Sequence, residues 1–241
     1  MTRRLLVFDG DDTLWRVEPL YDEARRRARA VVADAGLPAD RWEALERARD
    51  VANVNTFGVS AVRFPTSCVE AYEEAAHEAA RPVDAEVRER VRAAARTAYE
   101  ASAPLVPAVD ATLAALSNDY TLVLLTKGDT WLQERRIDES GLGSFFIQTY
   151  IRPQKTLDEF REVLDDMNCP AESGWSIGNS LASDINPAIS AGMHAIWIDA
   201  PVWEYERRER SPASRDVLTA KTLQEVPRIL ARTLSATAAA D

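Results

Sequence analysis

From Pro107 onward, short apolar runs alternate with stretches of helical spacing, and this alternation constrains the fold more than any other feature of the chain. The runs YTLVLLT at 120–126, FFIQTYI at 145–151, GWSIG at 174–178 and HAIWID at 194–199 read as strands. Segments 108–117, 130–140, 156–168 and 182–191 read as the helices beside them, with Gly141, Pro170 and Gly192 as stops. A last short strand is expected over 215–219, then a helix over 222–234 and a frayed tail over 235–241. Continuous apolar runs suit strands buried on both faces, as in a parallel sheet. Strands joined through helices require right-handed crossovers, so the expected fold is α/β with a doubly wound parallel sheet.

One further apolar run, RRLLVF at 3–8, stands far from the others and ends in Asp9-Gly10-Asp11-Asp12. The texture between is different. Segments 19–35, 39–54, 66–80 and 84–100 are rich in Ala, Glu and Arg, with breaks at Gly36-Leu37-Pro38 and Arg81-Pro82. The spacing predicts an α/β core made of 1–16 and 103–234, interrupted by a four-helix domain over 17–102. Within that insert, Asn53, Asn55, Thr56, Phe57, Gly58, Val59, Ser60 and Arg63 form a polar stretch unlike its surroundings. It reads either as a plain linker or as a specificity loop with Asn55 and Arg63 facing a negatively charged substrate.

Charge and composition exclude several classes. With 29 Lys plus Arg against 39 Asp plus Glu, the net charge is −10, which leaves no general basic face for nucleic acid. No apolar run approaches the length that spans a bilayer, and the N-terminus lacks the apolar stretch of a secretory signal. Two cysteines, Cys68 and Cys169, and two histidines, His77 and His194, make neither a disulfide framework nor a zinc cluster. The chain is expected to be cytoplasmic, with a small molecule rather than nucleic acid or membrane as its partner. Among its basic residues only Lys127, Lys155 and Lys221 are lysines, so each is worth locating.

Ligands of an open parallel sheet sit beyond the carboxyl ends of the strands. There the sequence delivers Asp9, Asp11 and Thr13, then Thr126 and Lys127, then Lys155, then Asn179 and Asp184. Acids, hydroxyls and a lysine converging on one edge suit a divalent cation and a phosphoryl group. LLVFDGDDTLW resembles the first motif of the haloacid dehalogenase superfamily, an apolar strand followed by Asp-x-Asp-x-Thr. LLT at 124–126, Lys155 and GNSLASD at 178–184 resemble the second, third and fourth motifs, in order and at strand ends. The insert resembles the helical cap that this superfamily places after its first strand. A first motif ending in DDTLW and a fourth beginning GNS also resemble a subgroup of that superfamily.

The resemblance implies a magnesium-dependent phosphomonoester hydrolase acting on a small phosphorylated metabolite, with a cap that closes over the site. Asp9 would be the nucleophile and Asp11 the acid and then the base, with Thr126 and Lys155 completing the catalytic set. Thr13 and Lys127 would join substrate binding, and Mg2+ would lie among Asp9, Asp11, Asn179 and Asp184. Asn179 stands where many relatives place aspartate, and Asp12 where glycine is common. Asp12 is expected to cap the following turn or to face solvent. A catalytically impaired binding module, a mutase, or a metal-independent dehalogenase of the same superfamily would use related residues. Asp11 argues against the dehalogenase, and the absence of lysine from the insert argues against phosphonate cleavage. Trp15 and Trp203 are expected to flank the mouth, packing between cap and core rather than stacking on substrate.

Overall fold

A computed structural model of the chain describes residues 4–200, 202 and 217–238. Trp203 and positions 215 and 216 lie outside the described residues, and the expected last strand falls at Leu218–Ala220. The chain divides into two compact units, Val17–Ala103 and the remainder on either side of it.

The larger unit is built on strands β1 (Arg4–Phe8), β2 (Tyr120–Lys127), β3 (Gln148–Arg152), β4 (Gly174–Gly178), β5 (His194–Ile198) and β6 (Leu218–Ala220). They form one parallel sheet in the order β3-β2-β1-β4-β5-β6. The chain runs outward from β1 to β3 and then returns to place β4 on the other side of β1. Right-handed crossovers on either side of that reversal put helices on both faces, which makes a doubly wound, Rossmann-like sheet. The inner strands are apolar on both faces because both are covered. Leu5 and Val7 pack with Val123, Leu125, Tyr150, Phe160, Val163 and Leu164, while the intervening Leu6, Phe8, Leu122 and Leu124 are buried as well.

Two departures from the expected elements have local causes. The third strand starts at Gln148 instead of 145, because Gly141 at φ 69° ends the preceding helix and Leu142–Phe145 forms a 3-10 turn. Helix 182–191 is divided: Leu181–Ile185 is a π-turn and only Asn186–Ser190 is regular α-helix. Pro187 has no N–H to continue a ladder from the previous turn, so the segment widens before it.

The smaller unit contains α1 (Glu18–Asp34), α2 (Ala39–Phe57), α3 (Arg63–Glu78) and α4 (Ala85–Arg96), followed by a 3-10 turn over Thr97–Tyr99. Tyr21, Ala24, Ala28 and Val32 lie on one stripe of α1 and are buried. Asn53, Asn55 and Thr56 belong to the last turns of α2, which ends at Gly58 with φ 61° and ψ −151°. The polar stretch is therefore helix up to Phe57, and the connection is short. α3 begins at Arg63, earlier than Pro65 suggested, because a proline in the first turn interrupts no intrahelical bond. Arg63 is buried, donating to Asp50 at 3.0 Å and to the Gly58 carbonyl at 3.4 Å. Its charge is thus answered inside the helical unit instead of facing a substrate anion. Asn55 is exposed on α2.

The remaining helices of the larger unit are α5 (Val109–Ser117), α6 (Thr130–Ser140), α7 (Leu157–Asp166), α8 (Asn186–Ser190) and α9 (Val226–Ala238). No helix among the described residues is long and apolar enough to cross a membrane.

Candidate active site

The carboxyl ends of β1, β2 and β4 meet where the strand order reverses. Phe8 pairs in register with Leu124 on one side and Ile177 on the other, and the Asp9 amide extends the ladder to the Ile177 carbonyl at 2.9 Å. Continuing that register, Asp9 lies level with Leu125 and Gly178, and Gly10 beside Thr126. The chain then turns sharply: Leu14 N–H reaches back to the Gly10 carbonyl at 2.8 Å, and Asp12 adopts φ 59°. Asp12 occupies the left-handed region that glycine takes most easily, and aspartate tolerates it better than most residues.

Lys155, directly before α7, is the hub. Its buried ammonium donates to Asp9 Oδ1 and, at 2.8 Å, to Asp184 Oδ1. The next residue fixes its position. Thr156 caps α7 in a capping box, its hydroxyl accepting from the Asp158 amide while Glu159 receives the Thr156 amide at 2.6 Å. Asp184 lies in the π-turn with its second oxygen on the Ser180 amide at 2.9 Å, and its carbonyl accepts from Ser176 Oγ at 2.8 Å. Gly178 has no room for a side chain: a Cβ there would come within 2.3 Å of Asp184 Oδ2.

Charge in this cluster is unbalanced. Burial, and next the neighbouring Asp184, push the Asp9 carboxyl up to about 7, against the pull of Lys155. Burial works against the Lys155 charge too, but Asp184 and Asp9 together hold it up at about 12. One cation thus serves two buried carboxylates. The second Asp9 oxygen has no hydrogen-bond partner among the described residues.

No group of three or more His, Cys, Asp or Glu able to hold a metal occurs among the described residues. Asp9 and Asp184 share the Lys155 ammonium, and the Asn179 amide oxygen is held by Thr13 four residues after Asp9. Two carboxylates with neutral oxygens and an uncompensated negative charge fit a hard divalent cation that completes its shell with water and phosphate. Asn179 is buried, its Oδ1 receives Thr13 Oγ1 at 3.4 Å, and its carbonyl is held by the Trp197 indole at 2.7 Å.

On the β2 side, Thr126 is buried and its hydroxyl meets Gln133 Oε1 at 3.3 Å. Lys127 reaches Ser183 Oγ at 2.7 Å, linking the end of β2 to the π-turn. Asp11 is close enough to add to the negative field on Asp9, but its side chain faces α6. Its two oxygens accept from Trp15 at 2.7 Å, Arg136 at 2.7 Å and Gln133 at 3.0 Å. Trp15 is buried, with its ring so near Gly10 that a Cβ there would lie 2.6 Å from it.

The larger unit therefore brings together Asp9, Asp11, Thr13, Thr126, Lys127, Lys155, Asn179 and Asp184, while Asn55 and Arg63 belong to the helical unit. Gln133, Arg136, Ser176, Ser180, Ser183 and Trp197 also support the site, and strand-end reasoning missed them. Their one sequence signal is that Gln133 and Arg136 are polar at i, i+3 on a helix whose neighbour Leu132 is buried.

Residues 4–192 match the family described as haloacid dehalogenase-like hydrolase. Over 237 residues the chain is 26% identical to glyceraldehyde 3-phosphate phosphatase of Methanothermobacter thermautotrophicus, covering 94% of this chain and 99% of that protein. The crystal structure of a haloacid dehalogenase-like family hydrolase from Xanthomonas campestris is similar with a TM-score of 0.81 at 26% identity, over 100% of this chain and 99% of that one. A 2-haloacid dehalogenase from Pseudomonas syringae shares the fold, with a TM-score of 0.61 at 22% identity over 95% of this chain and 99% of that one. Matched over most of its length, the chain belongs to the haloacid dehalogenase-like hydrolase family.

Proposed function

We propose that the protein is a magnesium-dependent phosphomonoester hydrolase of a small phosphorylated metabolite, acting through an aspartyl phosphate on Asp9. The observation that carries this reading is the cluster of Asp9, Lys155 and Asp184, where one lysine joins two buried carboxylates at the sheet's reversal point. Similarity to a glyceraldehyde 3-phosphate phosphatase supports a short phosphorylated compound as substrate.

In the first step an Asp9 oxygen forms a bond to phosphorus as the phosphorus–ester oxygen bond breaks, and the leaving oxygen takes a proton from the Asp11 carboxyl. In the second, water forms its bond to phosphorus, the Asp9–phosphorus bond breaks, and the water's proton passes to Asp11. Thr126 and the amides after Asp9 hold the non-bridging oxygens, with Thr13 and Lys127 beside them. Lys155 keeps Asp9 anionic and oriented as the dianion approaches; a lysine presents the compact charge that this position between two acids requires. Asp9, the Asp11 carbonyl, Asn179 and Asp184 would hold magnesium, which supplies charge neutralisation and in-line alignment when bound. Asn179 contributes an oxygen without the charge of an aspartate, so Asp184 bears more of that task.

The presence of Asp11 favours this reading over carbon–halogen cleavage, which leaves no oxygen to protonate. The deciding experiment is hydrolysis of an aryl phosphate with magnesium and with a chelator, by the wild type and Asp9→Asn. Turnover that needs the metal and falls by at least about 10³-fold in the variant is the expected outcome. Phosphate analogues that bind without any turnover would instead point to a catalytically silent binding module.

A further inference from the structure

Asp11 is held more completely than its place in a loop would require. Three donors from two directions reach its carboxylate: the Trp15 indole on one oxygen, and Gln133 and Arg136 on the other. The Gln133 amide is 1% exposed and bonds three residues of the site. Its nitrogen donates to Asp11 at 3.0 Å and to the Lys127 carbonyl at 2.9 Å, and its oxygen accepts from Thr126 at 3.3 Å. Arg136, one helical turn on, is 6% exposed and meets Asp11 at 2.7 Å. Burying an amide and a guanidinium on one helix face is costly compared with apolar residues of similar size, so packing alone does not account for the pair. Together they fix the plane of the Asp11 carboxylate and tie it to the strand end that carries Thr126.

Resting on the phosphatase reading above, we propose that Gln133 and Arg136 are positioning residues for Asp11, holding its carboxylate in one place between α6 and the end of β2, from which it serves the oxygen that leaves and later the attacking water. Proton transfer to a leaving oxygen needs hydrogen-bond reach, so an Asp11 free to rotate would seldom be in place. An alkoxide leaves only with that proton, whereas a phenolate leaves without it. In the first step the pair therefore governs how well the enzyme handles alkyl esters relative to aryl esters, whereas the second step is the same for both.

The test measures kcat and KM of the full chain with magnesium on an alkyl phosphate (glycerol phosphate) and an aryl phosphate (p-nitrophenyl phosphate). Wild type, Asp11→Asn, Gln133→Leu, Arg136→Met, Arg136→Lys and the Asp11→Asn/Arg136→Met double variant are compared. Arg136→Met should lower kcat/KM, which reports the first step, by about 10- to 100-fold on the alkyl ester and by less than about 3-fold on the aryl ester. Its kcat should fall on both, because hydrolysis of the shared aspartyl phosphate also uses Asp11. Gln133→Leu, which releases Thr126 as well, should lower kcat/KM on both esters and more on the alkyl one. Arg136→Lys should restore part of the loss. Adding Arg136→Met to Asp11→Asn should cost nothing more, since the residue acts through Asp11; this comparison holds even when the variants are less stable. Equal losses of kcat/KM on both esters in Arg136→Met, or additive losses in the double variant, overturn the inference. A wild type that hydrolyses neither ester overturns the phosphatase reading and this inference with it, whereas an active wild type with indifferent variants overturns this inference alone.

Discussion

At the scale of single residues, the site depends on positions where no other side chain fits. Gly178 touches Asp184 so closely that Gly178→Ala must move the carboxylate or the strand. A shift near 1 Å at a catalytic group costs on the order of 10²-fold in rate. Kinetics of Gly178→Ala should show a kcat lowered by about that factor with the fold intact by circular dichroism; an unchanged kcat would mean that Asp184 tolerates displacement. Lys155→Met would leave two buried carboxylates without their shared cation, and kcat should fall by about 10²- to 10³-fold. Residues at strand ends were readable in the sequence because an apolar run, once assigned as a strand, fixes where its last residue points. Gln133 and Arg136 were not. They lie more than 120 positions from Asp11, and on a helix their spacing is that of any solvated pair until the fold turns it inward. Arg63 misled for the same reason: Asp50, which neutralises it, sits on the neighbouring helix α2.

Among the elements, α7 has two anchors with measurable consequences. Its capping box sits next to Lys155, so Thr156→Ala removes a cap that contributes about 1 kcal/mol and loosens the segment presenting the lysine. Thermal denaturation should show that loss of stability; an unchanged melting temperature would mean that Glu159 alone holds the helix start. At its other end α7 is joined to β3 by the Tyr150 hydroxyl, which donates to Asp166 at 2.9 Å. Burial, and then the bond to Asp166, push the phenol from the ordinary 10 to about 12. A group raised in this way stabilises fully below pH 10, and its contribution is lost as pH climbs through 12. Between those values the melting temperature of the wild type should fall more steeply than that of Tyr150→Phe. Parallel slopes would remove Tyr150 from alkaline unfolding. The strands and most helices were legible as alternating texture, but the π-turn was not, because its cause, Pro187, acts on the turn before it.

For the whole molecule, the magnesium proposed for this edge should also act as a stabiliser. A cation bound only by the folded chain adds about 2.7 kcal/mol at 100 times its dissociation constant, equivalent to roughly 5–10 °C at this chain length. Calorimetry with magnesium against a chelator should show that rise in the wild type and a smaller one in Asp184→Asn. Identical melting with and without magnesium would argue against a cation at this edge. The doubly wound topology was predictable because short connections permit few arrangements of these elements. The separation of Asp9 from Lys155 by 146 positions has a further consequence during synthesis. β1 leaves the ribosome first, yet its partners β2 and β4 start only at Tyr120 and Gly174. The nascent chain therefore carries the acidic Asp9–Asp12 loop without Lys155 until nearly two thirds of translation is complete, and premature termination before that point yields a chain with the proposed nucleophile but no counter-charge to tame it.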